Sequence, residues 1–296
     1  MTGELRLLTG TMRISLSLFL CICWLTNSLA QSTNRPVDAR FQYKADRSRP
    51  FILAHRGGPG PTDTENSLVT FRQMIRTVPD VILEMDVRMT VDSVLVLLHD
   101  DDIARTTTGT GSLKIMTWST LNQVRLRNLK GEPTAQKIAL FSDVLRWASN
   151  RKVLMAIDAK PGTDLNRLMQ TIKQAGALDQ VFLICYSVAD AKRMRTLFPD
   201  LWVALGFETA EQLKTVGKEI GLRNLIALAS IRDRDFYDTF HRQGILCTAS
   251  TYGRTGLDEL PVAEAVDKYR LLVINGADIL TTDRPVEVSA LFQSGR

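Results

Sequence analysis

The sequence predicts an α/β fold, a closed (β/α)8 TIM barrel in which a parallel sheet is surrounded by helices. Apolar runs alternate with amphipathic stretches along the chain, and the runs are continuous, which is typical of strands buried on both faces of a parallel sheet. About eight such units between residues 31 and 296 fit the ~250 residues of a barrel. The alternative, an open doubly wound sheet, is disfavoured because no GxGxxG or phosphate-binding loop follows the first strand.

The composition is that of an ordinary globular protein. The chain has 296 residues, of which 45% are hydrophobic and 23% charged. The formal net charge is +5, but no run of consecutive basic residues accompanies it. The charge therefore disfavours nucleic acid as a partner and favours small anionic molecules.

The first thirty residues predict an export signal. The apolar stretch Ile14–Leu25 follows Arg13 and is too short for a membrane-spanning helix, which needs ~20 residues. Small residues at Ser28 and Ala30 place the cleavage site after Ala30. We expect a cleaved signal peptide at 1–30, a polar N-terminal segment at 31–50 and the barrel at 51–296. The mature protein would be periplasmic or secreted, without a transmembrane segment.

The strands and helices follow from the local pattern. The predicted strands are FILAH (51–55), VILEMDV (81–87), VLVLLHD (94–100), VLMAIDAK (153–160), VFLICYS (181–187), WVALGF (202–207), LIALAS (225–230), GILCTAS (244–250) and ADILTTD (277–283). Between strands, one apolar helix face runs from Leu165 to Ile172 and stops at Gly176. Two cysteines of the mature chain, Cys185 and Cys247, lie in apolar runs and are predicted to be buried free thiols.

Acidic residues at the ends of the predicted strands indicate a metal site. Glu84 and Asp86 lie two apart on one strand and therefore face the same way, and Asp158 ends another strand. Buried carboxylates are costly unless a cation neutralises them, and a hard divalent cation with oxygen ligands does so directly. Lys160 points the same way as Asp158 and offers an alternative, a salt-bridged set without metal.

Two of the three histidines also end apolar strands. His55 and His99 would meet at the mouth of the barrel beside the acidic residues, where they suit a general base and a general acid. Arg56 follows His55, and its guanidinium geometry favours phosphate or carboxylate. The third histidine, His241, lies on a predicted helix and is interpreted as a surface or packing residue.

The chain resembles the glycerophosphodiester phosphodiesterases. The resemblance rests on AHRGG (54–58), ENS (65–67), ILEMDVRMT (82–90), LLHDDDIARTTTGTG (97–111), DAK (158–160) and ADILTTDRP (277–285), in this order. It spans residues 51 to 290 and is densest between residues 54 and 111. The family has a (β/α)8 barrel, uses Ca²⁺ or Mg²⁺, and cleaves glycerophosphodiesters to sn-glycerol 3-phosphate and an alcohol.

The resemblance implies a role for each matching residue. His55 and His99 match the catalytic histidines, for which we take His55 as base and His99 as acid. The metal-binding residues are Glu84, Asp86 and Asp158, the last standing where the family usually has Glu. The substrate-binding residues are Arg56, Lys160, Glu65 and Asn66. One divalent cation, Ca²⁺ or Mg²⁺, and a small glycerophosphodiester are the implied cofactor and substrate.

Two other functions remain open from the sequence. A lysophospholipase D or sphingomyelinase D would need an apolar trough, which Met116, Trp118 and Phe207 could line. A non-catalytic phosphodiester-binding barrel would have lost a histidine or carboxylate, whereas here only Glu is replaced by Asp. The stretch CTAST (247–251) stands where many family members have W-T-x-N, which affects the substrate wall more than the catalytic step. The sequence leaves the oligomeric state open.

Overall fold

The computed structural model describes residues 40–47, 49–254 and 256–293, so the predicted signal peptide lies outside the described residues. The strands are β1 (Phe51–Ala54), β2 (Ile82–Met89), β3 (Leu95–Leu97), β4 (Leu154–Ala159), β5 (Val181–Cys185), β6 (Trp202–Gly206), β7 (Leu225–Leu228), β8 (Leu246–Ser250) and β9 (Ile279–Thr282). The helices are α1 (Leu68–Thr77), α2 (Trp118–Leu121), α3 (Phe141–Ser149), α4 (Leu165–Gln174), α5 (Val188–Leu197), α6 (Gln212–Ile220), α7 (Arg234–His241), α8 (Val262–Asn275) and α9 (Pro285–Ala290). Single 3-10 turns span His55–Gly57, Leu113–Ile115, Leu178–Gln180 and Leu257–Glu259. None of the helices among these residues is long and apolar enough to cross a membrane.

Eight parallel strands close into a barrel, as the sequence predicts. The order around the barrel is β1, β2, β4, β5, β6, β7, β8 and β9, and β1 pairs with both β9 and β2. Helices surround the sheet. The carboxyl ends of all eight strands therefore open on one side, which forms the mouth.

The run 94–100 is not a barrel strand, and its prediction as a parallel strand is wrong. β3 pairs antiparallel with β2, with Val87 opposite Leu97. The connection 90–94 is far shorter than the dozen or more residues that a parallel crossover needs, so the chain turns back in a hairpin. The amide of Leu98 donates to the carbonyl of Asp86 at 3.1 Å, and this contact returns His99 to the level of the acidic residues on β2.

Alternation along the strands separates an inner from an outer core. On β2, Ile82 belongs to the apolar cluster inside the barrel, whereas Leu83 and Met85 pack outward against the helices. β4 follows the same pattern, with Leu154 inside and Met155 outside. Continuing each inner row toward the mouth places the carboxylates of β2 and β4 inside the barrel, above its apolar layer.

A side chain from before the first strand fills the bottom of the barrel. Phe41 is buried, and its ring centroid lies 5.5 Å from those of Phe51 and Phe182 and 5.7 Å from that of Trp202. The segment that the sequence presents as polar therefore contributes to the inner core. The two cysteines are buried and unbonded, as predicted. The chain enters α4 through Asp164, whose carboxylate accepts from the amides of Asn166 and Arg167.

Candidate active site

Three carboxylates meet at the mouth end of β2 and β4. Asp86 is the direct register partner of Asp158 in the parallel pair, and Glu84 lies one inward position earlier. All three side chains are buried, and one oxygen from each lies within 4.8 Å of the others. The structure thus brings together the three residues that the sequence proposes as metal ligands.

The cluster holds more negative charge than its surroundings neutralise. Burial and the neighbouring charge of Asp86 raise the pKa of Glu84 well above its usual range. Burial would also raise the pKa of Asp86, but the Lys160 ammonium outweighs it and holds that pKa below its usual value. Lys160 Nζ lies 2.7 Å from an oxygen of Asp86 and 2.7 Å from one of Asp158. Arg56 Nε lies 3.6 Å from the other oxygen of Asp86. The three buried carboxylates still outnumber these two cations, and buried carboxylate oxygens suit a hard divalent cation, so the donor set fits Mg²⁺ or Ca²⁺.

The turn after β1 is shaped around Glu84. Arg56 adopts a left-handed conformation with φ 52°, and its amide donates to Glu84 Oε2 at 2.6 Å. Gly57 has φ 88°, and a Cβ there would lie 2.6 Å from the Phe71 ring. The glycine is therefore required both by its backbone conformation and by the close approach of α1.

Asn66 fixes the second acid of the cluster. Its side-chain amide donates to Asp86 Oδ2 at 2.7 Å, and its Oδ1 accepts from the Asp86 amide at 3.0 Å. Asn66 also has a left-handed φ of 53°, which asparagine tolerates better than most residues. The neighbouring residue, Glu65, accepts from the Arg56 guanidinium at 3.2 Å. The predicted pair 65–66 thus orients one acid of the carboxylate cluster, Asp86, and the guanidinium of Arg56.

Each mouth histidine is held by an aspartate through Nδ1. His55 Nδ1 lies 2.8 Å from Asp283 Oδ1, and His99 Nδ1 lies 2.6 Å from Asp100 Oδ1. An aspartate at Nδ1 favours the tautomer with the proton there, which leaves Nε2 free to exchange a proton. The Tyr252 ring stacks on His55 with centroids 3.9 Å apart.

An ion-pair network joins His99 to Arg56. Arg105 donates to Asp100 at 2.5 Å and to both oxygens of Glu65 at 2.8 Å, and Glu65 in turn holds Arg56. Burial would raise the pKa of Asp100, but hydrogen bonds from Arg105 and His99 outweigh it and lower that pKa to about 2. Asp100 is therefore an ionised partner for His99 across the working pH range.

Asp258 accepts several hydrogen bonds that fix the conformation of the chain at the end of β9. Its carboxylate accepts from the hydroxyls of Thr251 and Thr282 at 2.9 Å, from the hydroxyl of Tyr269, and from the Asp283 amide at 2.7 Å. The last of these contacts positions the residue that holds His55.

One cavity of about 600 Å³ lies at the mouth. Its lining includes His55, Arg56, Glu84, His99, Asp158 and Lys160, together with residues after β5 to β8. Phe207 lines it, but Met116 and Trp118 do not, because they pack against the cluster around β3. Of the three residues expected to line an apolar trough, Phe207 lines the cavity and the other two do not.

Several residues of the site were not predicted from the sequence. The partners Asp283 and Asp100 occur in the quoted motifs, but nothing in their spacing indicates a contact with histidine. Arg105 occurs in the motif LLHDDDIARTTTGTG, but the sequence assigns it no role. The Tyr186 hydroxyl donates a bifurcated hydrogen bond to the two oxygens of Asp158, at 2.7 and 2.8 Å, although Tyr186 as a residue is 61% exposed. Tyr252 directly follows the CTAST stretch and supplies an aromatic wall there.

The third histidine is a packing residue, as expected. His241 Nε2 lies 2.9 Å from Asp278 Oδ2, and its ring stacks on Tyr43 with centroids 4.3 Å apart. It lies before β8 and does not line the mouth cavity.

Comparison with known proteins agrees with this geometry. The model of the glycerophosphoryl diester phosphodiesterase family matches residues 55–287. The chain is 26% identical to YqiK of Bacillus subtilis, an uncharacterised protein, over 82% of this chain and 98% of that one. It is 29% identical to a glycerophosphodiester phosphodiesterase of Caldanaerobacter subterraneus, over 48% of this chain and 62% of the relative.

Solved structures share the barrel. A glycerophosphoryl diester phosphodiesterase from Parabacteroides distasonis superposes with a TM-score of 0.79 and 30% identity, covering 86% of this chain and 90% of that one. A phosphodiesterase of Oleispira antarctica, solved in complex with its product sn-glycerol-3-phosphate, has a TM-score of 0.62 and 19% identity, covering 83% and 97% of the two chains. At that identity the second likeness concerns the fold alone.

Proposed function

The chain belongs to the glycerophosphoryl diester phosphodiesterase family and is a phosphoric diester hydrolase, and we propose that it cleaves glycerophosphodiesters to sn-glycerol 3-phosphate and an alcohol. One observation carries the proposal. Two histidines, each with Nδ1 held by an aspartate, line one cavity together with Glu84 and Asp158, which form a cluster of three carboxylates with Asp86. The product bound by the Oleispira antarctica neighbour is consistent with this reaction.

Glu84, Asp86 and Asp158 would hold the divalent cation that the family generally requires. When bound, such a cation stabilises the negative charge that develops on a non-bridging phosphate oxygen. Asp158 is one methylene shorter than the Glu usual in the family. A bifurcated hydrogen bond from the Tyr186 hydroxyl to its two oxygens holds the shorter side chain in place.

Arg56 and Lys160 would bind the phosphate. The Arg56 guanidinium is held by Glu65, and the Lys160 ammonium lies between Asp86 and Asp158. Both cations line the mouth cavity, so both can reach a diester in it. Because these ion pairs fix both side chains before the substrate binds, the two side chains need little reorganisation during the reaction.

The two histidines would move the protons. In this proposal, His55 Nε2 accepts a proton from the attacking oxygen, which belongs to a water or to a glycerol hydroxyl. Attack by the hydroxyl gives a cyclic phosphate, which a water molecule then opens to sn-glycerol 3-phosphate. His99 Nε2 donates a proton to the departing alcohol. The contacts of Asp283 and Asp100 with Nδ1 hold each ring in the tautomer that leaves Nε2 available. Each such transfer typically contributes ~10²–10⁴-fold to the rate.

We also propose that the protein is exported to the periplasm or secreted. The proposal rests on the basic, apolar and small-residue order of residues 1–30. N-terminal sequencing of protein recovered outside the cytoplasm should begin at Gln31. A cytoplasmic protein that begins at Met1 or Met12 would contradict it.

Release of glycerol 3-phosphate tests the reaction. The purified protein is assayed on glycerophosphocholine and glycerophosphoethanolamine with Mg²⁺, with Ca²⁺ and with EDTA. We expect release that EDTA abolishes and either ion restores, and that Asp86→Asn lowers at least 100-fold. Asp143→Asn, which changes an exposed acid on α3, serves as the control. Absence of release from both diesters would refute the reaction, and release insensitive to EDTA would refute the role of the cation.

A further inference from the structure

One cation of the mouth lies across the cavity from the acidic cluster. Arg232 follows β7, and β7 is four strands from β2 in either direction around the barrel. It is thus diametrically opposite the strand that carries Glu84 and Asp86. Arg232 nevertheless lines the same cavity as Glu84 and His55. A molecule that spans the mouth from the acidic cluster would end beside this arginine.

The Arg232 guanidinium has unused hydrogen-bonding capacity. Its Nε is buried and has no hydrogen-bond partner among the described residues. Its only side-chain hydrogen bond within that part of the chain runs from an NH₂ group to the carbonyl of Phe207 at 3.5 Å, a long and weak contact. Its Cζ lies 5.7 Å from the centroid of the Phe236 ring, and this cation–π contact holds the arginine side chain in place.

The other cations of the cavity differ from Arg232. Arg56 is ion-paired with Glu65, and Lys160 with Asp86 and Asp158. Arg232 has no ion pair with a described residue. Glu208 lines the same cavity, but its side chain is exposed and water screens its charge. Among the described residues that line the mouth, Arg232 is therefore the cation whose charge is free for a ligand.

We propose that Arg232 binds an anionic group on the alcohol half of the diester, a carboxylate or a second phosphate. The proposal rests on the proposed function, which places the scissile phosphate beside Arg56 and Lys160. The glycerol half carries only hydroxyls, so an anion that reaches β7 must belong to the alcohol. A guanidinium pairs with carboxylate or phosphate through two parallel hydrogen bonds. The apolar wall of Phe207 and Leu228 beside it lowers the local dielectric and strengthens this pairing.

Two matched pairs of substrates test the proposal with Arg232→Gln. Glycerophosphoserine differs from glycerophosphoethanolamine by one carboxylate, and glycerophosphoglycerol phosphate differs from glycerophosphoglycerol by one phosphate. Within each pair, kcat/KM gives a preference for the anionic alcohol. We expect the substitution to lower at least one of these preferences tenfold or more. The pair that responds tells whether the site accepts carboxylate, phosphate or both.

The controls separate the outcomes. Arg234→Gln removes a neighbouring exposed cation that pairs with Asp238 and does not line the mouth, and it should leave both preferences unchanged. An equal loss of kcat/KM on all four diesters would overturn the inference, because Arg232 would then bind the part they share. Unchanged preferences would overturn it as well. If the wild-type protein cleaves none of the four, the proposed function fails and this inference fails with it.

Discussion

β9 has an aspartate just outside each of its ends, and each of them holds a histidine. Asp283 follows the strand and contacts His55 at 2.8 Å, whereas Asp278 precedes it and contacts His241 at 2.9 Å. The first pair lies at the mouth of the barrel and the second at its bottom. Judged by the contact alone, the two pairs are nearly equivalent.

Their surroundings differ in every respect that matters for phosphodiester chemistry. His55 of the mouth pair lines a cavity of about 600 Å³ together with the buried carboxylates of Glu84 and Asp158, and its contact with the aspartate leaves Nε2 unused. The bottom pair lines a cavity of 170 Å³ with Lys44, Arg47 and Arg49 among its lining, and His241 uses Nε2 for the aspartate. A histidine–aspartate contact therefore indicates a site only where groups for phosphate and cation converge on it.

The largest expected effect is the difference in kcat between the variants of the two mouth histidines and the variant of His241. His55→Ala and His99→Ala should each lower kcat by about 10²–10⁴-fold because each removes a proton transfer. His241→Ala should leave kcat within about twofold and lower Tm, because it removes a buried hydrogen bond to Asp278 and a stacked ring. Steady-state assays and thermal unfolding of the three variants measure both quantities. A loss of activity in His241→Ala without a change in folding would contradict the comparison.

Substitution of the aspartates that contact the two mouth histidines should have a smaller effect on kcat. Asp283→Asn and Asp100→Asn preserve the shape of the side chain but weaken its hydrogen bond with the histidine Nδ1. We therefore expect each substitution to lower kcat about 10–100-fold. Asp278→Asn should instead lower Tm, because its carboxylate also accepts from the Cys247 amide at 2.8 Å. Comparing kcat and Tm across the three variants checks the separation. Equal kcat losses at both ends of β9 would rule out the distinction.

Asp258 should have a weaker influence because it acts through Asp283. Asp258→Asn disturbs the acceptor of the Asp283 amide, and we expect kcat to fall less than in Asp283→Asn, by about tenfold or less. The pH profile of kcat should change shape as well, since the His55–Asp283 contact loosens. Tyr269→Phe removes another donor to Asp258 and is the matched control, expected to keep the profile. If the pH profile of kcat is unchanged in Asp258→Asn, then Asp258 has a structural role and does not position His55.

The smallest expected effect is on acid stability. Asp100 has a pKa of about 2 in the folded protein, against an ordinary value of 3.8. A depressed folded pKa stabilises the protein above pH 3.8, and this contribution is lost as the pH falls toward 2. The Tm of Asp100→Asn should consequently fall less steeply than that of the wild type in this window. Parallel curves for the two proteins would contradict the assigned pKa.

The barrel and the acidic cluster could be predicted because their signals are local. Burial on both faces makes each barrel strand a continuous apolar run, and the two-residue period of a strand places Glu84 and Asp86 on one face. The hairpin at β3 was missed because its apolar run resembles that of a barrel strand. Only the shortness of the connection 90–94 distinguishes it, and that signal was present in the sequence.

Other contacts depend on the closed fold and have no local signal. Asp283 meets His55 because β9 and β1 are neighbours that close the barrel, although the residues are far apart in sequence. Phe41 fills the bottom of the barrel from a segment whose composition is polar. Tyr186, Tyr252 and Arg232 follow strands as ordinary loop residues, and only the assembled mouth shows what they face.

The leaving-group dependence of the two histidine variants tests the central claim most directly. Wild type, His55→Ala and His99→Ala are compared on glycerophosphoethanolamine and on the p-nitrophenyl ester of glycerol 3-phosphate, whose leaving group needs no proton. The account predicts that His99→Ala loses about 10²–10⁴-fold in kcat/KM on the first and little on the second, whereas His55→Ala loses both. Equal losses on both substrates in His99→Ala would show that His99 does not protonate the departing alcohol.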